Sequence, residues 1–393
     1  MSQEQQFSPT ITAFKPDIDS TGGGGYDLPG TPILPALTSQ IESYSHIIQA
    51  VGGYWSAQFS INTDQRTLEK WVTEGLGRHI EVVDSAGVII WEGIVNKVSA
   101  SLGPLDIVTG PMMDVGNLGI MEYSTLNTTV DPPIFGAQTE VFNLDMASIG
   151  KYGYWPMMLS GGSKSDADAA NQLDTFVLEN AWPTNSKTVN MGRAADPQVR
   201  VECLGYVHLY IKMPYNGTTS GTQNLSDKII DVLDFQFNTI TNDTWLQIAT
   251  NALQVPGWDD RQNNGWQVIK DLVAMGDASF ARYLFGMYAN QMPKYAAAPT
   301  TLEYQQQLSD PEQKVTTISG GRVLPWHVLP GKWMTFSDFL VGESEPADLR
   351  RDPRAMFIES VTFTAPWGLG LKGGKIDTFS QKLAQTGLGT RSS

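Results

Sequence analysis

Cysteine is almost absent from the chain: Cys203 is the single one in 393 residues, so no intrachain disulfide and no multi-cysteine metal site can form. Histidine is sparse. His46, His79, His208 and His327 are scattered, with neither an HExxH nor an H-x-H pair. A zinc or iron centre needs clustered donors, so no metal is expected. No apolar run approaches the ~18 residues of a membrane-spanning helix. The opening MSQEQQFSPT has no basic stretch followed by an apolar one, so no secretory leader is expected either. Charge is low at 17%, and the basic side is the poorer: 26 Lys and Arg against 41 Asp and Glu leave a net −15. Tight binding to a nucleic-acid backbone usually needs a basic surplus, so that class is disfavoured. A surface that DNA merely slides past is not.

The common catalytic signatures are missing as well. There is no GxGxxG or GxxxxGK[ST] phosphate loop, no GxSxG elbow and no SxxK. Cys203 and His208 could form a nucleophile pair, but VEC around Cys203 reads as a buried strand. Glycan cleavage needs two carboxylates ~5–9.5 Å apart. The candidates, Asp166 with Asp168 and Asp259 with Asp260, sit in loop-like sequence rich in Gly, Asn and Ser. The expectation is therefore no catalytic residue and no cofactor. The charged run 348–354 stands out, with Arg350, Arg351 and Arg354 among aspartates. These arginines can pair within their own segment on the surface, or fork to carboxylates of another chain as intersubunit contacts.

What is present is a mainly β chain with α insertions, an α+β class, long enough for two to four domains. Residues 1–25 are polar, end in four glycines at 22–25, and read as a flexible arm. A first β block occupies 26–115. GGYWSAQFSI (52–61) alternates as a half-buried strand, with Trp55, Ala57, Phe59 and Ile61 on one face. LEKWVTEGLG (68–77) has helical spacing. HIEVV, the DSAG turn at 84–87 and VIIWEGIV make a hairpin. Residues 116–225 are loop-rich, with strands expected at 173–178 and 199–213. Residues 226–290 read as a helical connector: one helix capped by Ser226, one starting near Asn242 or Asp243 and carrying Trp245 to Leu253, and a long one from about Gly265 to Tyr288. A second β block spans 291–375, where 326–340 reads as strand, turn, strand, and 355–374 as strand, Pro-Trp break and glycine-rich turn. A tail, 376–393, follows.

The two β blocks carry a resemblance. The stretch GGYWSAQFSI through WEGIV resembles the opening domain of baseplate-hub or tail-tip proteins of tailed bacteriophages and related injection devices. Its marks are a Gly-Gly-aromatic strand, a short helix, and a hairpin ending in Trp91-Glu92-Gly93. GWQVIKDLVAMGD, KYAAAP, WHVLPGKWMTFSDFL and DPRAMFIESVTFTAPWGLGLKGG are similar to the second half of such hubs. The resemblance covers roughly 44–115 and 245–390, and 116–225 matches no known pattern. It implies two tube-like β-barrel domains per chain and a homo-trimer. Such a ring adapts a hexameric tail tube to a threefold tip at the distal end of a virion tail. It is assembled in the host cytoplasm, meets tube or distal tail proteins and tip or fibre proteins, and passes DNA only in transit. The alternatives are a distal tail adaptor or other baseplate component, and a glycan-cleaving enzyme on a β scaffold.

Overall fold

The computed structural model describes residues 7, 9–14, 17–18, 26–27, 32–37, 41–127, 134–212, 214–215, 221–237, 247–256, 263–278, 283–288, 292–297, 302–305, 316–318, 321–323, 325–331, 333–336, 355–366 and 368–374. The protein is mainly β with a few helices, built around an 18-stranded sheet. Its first half is laid down by β1 (Thr10–Phe14), β2 (Pro32–Leu37), β3 (Ile41–Gln49), β4 (Gly52–Asn62), helix α1 (Gln65–Glu74), β5 (His79–Val83), β6 (Ile89–Leu102) and β7 (Leu105–Thr109). The expected hairpin is present as β5 and β6. In α1 the Asp64 carboxylate caps the Thr67 N–H at 2.8 Å, so the helix starts before the expected 68. Trp71 of this helix packs edge-on against Phe59 of β4.

The chain then leaves the sheet. β8 (Leu118–Asn127), β9 (Ile134–Leu144), helix α2 (Met146–Tyr152), β10 (Pro156–Lys164) and helix α3 (Asp166–Asn180) form a small unit: a three-stranded sheet ordered β9-β8-β10. One face of that sheet carries α3. The strand expected at 173–178 is in fact the second half of α3. Ala169, Leu173 and Val177 recur every four residues and bury one side of the helix, and Ala169 and Leu173 pack with Met121 and Tyr123.

Two strands return to the large sheet: β11 (Asn185–Val189), which pairs with β7, and β12 (Gln198–Leu204). β12 inserts between β4 and β6, antiparallel to both. The strand expected over 199–213 stops at Leu204, and helix α4 (Val207–Lys212) follows. The cause is at Gly205, whose N–H donates to the Trp55 carbonyl at 2.9 Å. A Cβ there would stand 1.7 Å from the Tyr54 carbonyl oxygen.

Helix α5 (Leu225–Phe237) buries Leu225, Ile229, Val232 and Leu233. Ser226 is not its cap: it lies inside the first turn and its hydroxyl donates to the Asn251 carbonyl at 3.3 Å. The helix expected through 245–253 is not formed over 247–253. There the Asn251 side chain accepts from the Leu253 N–H at 3.0 Å and donates to the Gly276 carbonyl at 2.8 Å, holding an irregular turn against the apolar spacing. Helix α6 (Gly265–Met275), capped by Asn264, ends at Gly276 with φ +71°, far short of the expected Tyr288. Residues 283–288 are instead β13 (Tyr283–Tyr288), paired with β14 (Met292–Ala297).

β13 also runs parallel to the start of β4, Met287 opposite Gly53. Gly53 has φ +75°, and a Cβ on it would meet the Met287 backbone at 2.2 Å. The Gly-Gly before the aromatic strand is thus one place where the two halves of the chain touch backbone to backbone. Just beyond, β4 bulges at Trp55: Ile47 faces Ser56 but Ile48 faces Tyr54. The bulge flips the side-chain phase, so Ala57, Phe59 and Ile61 are buried as the alternation predicts, while Tyr54 is buried too and Trp55 is half-buried.

The last strands are β15 (Trp333–Phe336), β16 (Ala355–Thr364) and β17 (Gly368–Gly374). Residues 325–327 form a single helical turn, not the expected strand. β16 pairs with β3, joining the second β block to the first. The main run is then β2-β1-β5-β6-β12-β4-β3-β16-β17, antiparallel throughout. Among the described residues it does not close: β2 and β17 stand at its two ends with no pairing between them.

Within the expected arm, β1 pairs with β5, and Phe7 is packed against Tyr44, Trp326 and Phe363, with centroids 5.6, 5.0 and 4.7 Å away. The pattern TITAF sends Ile11 and Ala13 inward, a strand signal inside a polar segment. The glycines at 22–25 lie outside the described residues, as does the 376–393 tail.

Three substitutions test this architecture. Gly205→Ala forces a methyl group into the Tyr54 carbonyl and should cost ~3 kcal/mol or prevent folding, while Gly150→Ala, in helix α2 where a Cβ meets nothing within 4 Å, should be neutral or stabilise by up to ~1 kcal/mol. Phe7→Ala should cost ~3 kcal/mol by emptying the aromatic cluster. Urea denaturation of each variant reads these differences, and a wild-type midpoint for Phe7→Ala would show that residue 7 is unpacked in solution.

Candidate functional site

Two kinds of feature could carry function: unpaired surface and buried polar clusters. The strand edges of the main sheet are the first surface, since an unpaired edge presents free N–H and C=O groups to a neighbour. The second is the bare face of the small sheet. Opposite α3, register aligns Phe142 of β9, Ile120 of β8 and Met158 of β10 in one apolar row, and Phe142 is 69% exposed. Met146, Leu178 and Trp182 are further exposed apolar side chains of this unit. A groove of about 480 Å³ beside the row is lined by Glu122, Tyr123, Ser124, Met158, Ser160 and Ser163.

The candidates from sequence are distributed as follows. Arg350, Arg351 and Arg354, and the pair Asp259 and Asp260, lie outside the described residues. Asp166 and Asp168 are not in a loop but in the first turn of α3, where negative charge suits the helix N-terminus. The Ser165 hydroxyl caps the Asp168 N–H at 3.2 Å, and Asp166 accepts from the Tyr123 hydroxyl at 2.9 Å. Cys203 is buried on β12, and burial followed by the adjacent Glu202 charge pushes its thiol well above the ordinary range. His208 instead packs on the Trp55 ring, centroids 4.5 Å apart, and burial lowers it to about 4.

Each remaining histidine occupies a defined polar environment. Asp84 organises the DSAG turn by accepting from the Ala86 and Val88 N–H groups at 2.9 Å. Its other oxygen faces His327 Nε2 at 2.8 Å, tying a residue 243 positions away to the hairpin. Burial opposes the charged form of Asp84, but these hydrogen bonds and the imidazole outweigh it and hold the carboxyl below its usual range. His46 is fully buried beside the Tyr44 hydroxyl, 2.9 Å from Nδ1, with no partner for Nε2 among the described residues; burial depresses it to about 3.

The densest cluster is on β5 and β6. His79 and Glu81 alternate to one face of β5, and Glu92 stands directly opposite Glu81 across the antiparallel pair. His79 Nδ1 hydrogen-bonds the Tyr206 hydroxyl, whose ring stacks on the imidazole, and Nε2 lies 3.3 Å from Glu81 Oε1. His79 and Glu92 are fully buried, and Glu81 is half-buried. A search for H-x-H or HExxH passes over this group. The signal that finds it is H-x-E within a strand, followed by a charged residue in an otherwise apolar return strand.

A third cluster surrounds Lys212 at the end of α4. Its ammonium donates to the Met113 carbonyl at 2.6 Å and to the Val115 carbonyl, and lies over the Trp155 ring. Burial lowers it to about 8 despite the nearby Asp114. These bonds clamp the segment that leads from the large sheet to the small one.

No family model and no curated protein matches the sequence. Among solved structures, a tail protein from Neisseria meningitidis MC58 overlaps 95% of this chain and 98% of its own, at 10% identity and a TM-score of 0.41. The 43 kDa tail protein of prophage MuSo2 from Shewanella oneidensis overlaps 91% and 92%, at 8% identity and 0.42. The E. coli c3393 protein, a component of the type VI secretion system with structural similarity to T4 bacteriophage tail proteins gp27 and gp5, overlaps 84% and 71%, at 8% identity and 0.38.

The buried His46 makes a pH prediction. Its folded-state value lies below the unfolded one, so the unfolded chain takes up the proton first. The stabilising contribution is complete above pH ~6.5 and is lost as pH falls toward about 3. Between pH 7 and pH 5 the loss from this residue is roughly 2 kcal/mol. His46→Leu should therefore flatten the fall in urea stability over that interval by about that amount. Equal slopes for variant and wild type would remove His46 as a source.

Proposed function

We propose that the chain is a structural component of a phage-type tail, acting as the hub at its distal end. There it joins a hexameric tube to a threefold tip and lines the channel through which the genome passes. The observation that carries this reading is a nine-strand antiparallel run that, among the described residues, does not close on itself, built from the two β blocks that bear the hub-like sequence pattern. Open edges need neighbours, and a closed ring supplies them without residual edges. Each chain brings two β blocks, and three chains bring six, the number a sixfold tube requires. In the ring the open sheets would complete tube-like barrels. Partners are then two further copies, a tube or distal tail protein above, and tip or fibre proteins below. No catalytic residue or cofactor is part of this reading. No helix among the described residues is long and apolar enough to cross a membrane.

Light scattering of the assembled protein, or symmetry in a particle reconstruction, tests the stoichiometry. Three copies per ring are expected, with well over ~2,000 Å² buried per permanent interface. Six copies would favour a distal adaptor instead. Neutralising Arg350, Arg351 and Arg354 together should weaken assembly while leaving the subunit folded. A broken buried pair costs ~3–5 kcal/mol and an exposed one ~0–1 kcal/mol, so an unchanged ring mass would place these arginines at the solvent surface. With a net −15, the lumen should be neutral to acidic so that phosphates do not adhere, and a lumen lined by Lys and Arg would overturn that expectation.

A further inference from the structure

We propose that His79, Glu81 and Glu92 form a binding site for one divalent transition-metal ion, with zinc the best fit, that clamps β5 to β6 within the hairpin. The donor atoms of the three side chains all lie within 4.8 Å of one another. A four-coordinate zinc with bonds of about 2.0–2.2 Å separates neighbouring donors by about 3.3–3.6 Å. The His79 Nε2 to Glu81 Oε1 distance, 3.3 Å, already has that value, and a side-chain adjustment of Glu92 on the order of an ångström completes a three-donor face.

The surroundings match what a bound ion needs. A metal-ligating imidazole donates its second ring N–H to a fixed acceptor, which sets the tautomer and aims the other nitrogen's lone pair at the metal. The Tyr206 hydroxyl is placed to be that acceptor at Nδ1. With the proton on Nδ1, the Nε2 lone pair points at a carboxylate, and a cation between them turns repulsion into ligation. Glu81 and Glu92 also face each other directly across the strand pair, which puts both carboxylates on one side of the hairpin with His79. One nitrogen and two carboxylate oxygens form a borderline donor set, suited to zinc and neighbouring transition ions more than to calcium or magnesium, which prefer all-oxygen shells. Half-buried Glu81 gives the ion its route in, and a water can occupy the fourth position.

The ion would act as a cross-link within the hairpin, joining His79 and Glu81 of β5 to Glu92 of β6. Tyr206, 127 positions from His79, would orient the ligating imidazole through Nδ1. Metal binding would therefore stabilise the β5–β6 pair. This holds whether or not the protein forms the ring proposed above.

The test uses the tag-free full-length chain, stripped with a chelator and dialysed against zinc, with magnesium and calcium as comparison ions. The expected result is one zinc per chain by elemental analysis, retained in excess magnesium, with a higher melting temperature than the stripped protein. Cobalt in place of zinc should give the visible absorption of a four- or five-coordinate ion. Glu81→Gln, at the half-exposed position, should keep the fold by circular dichroism and lower zinc affinity at least tenfold. His79→Gln should abolish the cobalt spectrum. Zinc well below one per chain would overturn the proposal and leave a plain Tyr206–His79–Glu81 hydrogen-bond chain, with Nε2–H donating to the carboxylate. Zinc bound equally well by folded Glu81→Gln would overturn it as well, by placing the ion elsewhere.

Discussion

The structure depends on one strand arriving from far along the sequence. β12 fills the space between β4 and β6, which are separated from it by the entire small sheet. Until residues 198–204 arrive, those two strands have no partner on their inner sides, and the cluster around Phe59, Val98, Val199, Val201 and Cys203 is incomplete. The fit leaves no slack. Gly205 lies against the Tyr54 carbonyl, and Gly53 a few residues away lies against Met287. Two distant segments thus converge on the start of β4, each at a glycine where a Cβ would collide. Contacts of such sequence separation close slowly and at high entropic cost, and hold only when packing is complete.

The rest of the layout follows from that insertion. Because the chain must leave after β7 and return as β11 and β12, residues between them are free to build a separate unit at the rim. The small sheet covers one of its faces with α3 and leaves the row Phe142, Ile120 and Met158 outside. The main run uses its central positions for β12 and β4, and among the described residues β2 and β17 stand at its two ends.

How much of this was legible in the sequence varied with the range of the deciding interaction. The 52–61 alternation, the helix around Trp71 and the hairpin either side of Asp84 are local patterns, and all three are present. The misreadings occurred where one residue's contact outweighed a local pattern. The apolar spacing after 245 does not make a helix over 247–253, because Asn251 holds its backbone in a turn, and the run from 265 breaks at Gly276. The 199–213 stretch looks like one long strand until Gly205 is seen to sit under Tyr54. In α3 the spacing was present, but β-favouring neighbours such as Thr175, Phe176 and Val177 obscured it. The buried cluster at His79 was illegible for another reason: Tyr206 and Glu92 join it through sheet register and chain return, and neither is encoded in a short motif.

Polar ties recur at the places where apolar packing would permit a slip. A sheet rich in Val and Ile can shift by two residues and still bury the same kinds of side chain, so hydrophobic pattern alone specifies register weakly along its length. The pairing of Asp84 with His327, of His79 with Tyr206, and of Lys212 with the carbonyls at 113 and 115 removes that freedom, since each leaves a buried or half-buried polar group stranded in any other register. Each also joins segments about a hundred or more residues apart, and together they touch the hairpin, the returning strand, the second β block and the stalk of the small sheet. These buried polar contacts, few in a chain so poor in charge, are placed at the junctions where that register is decided.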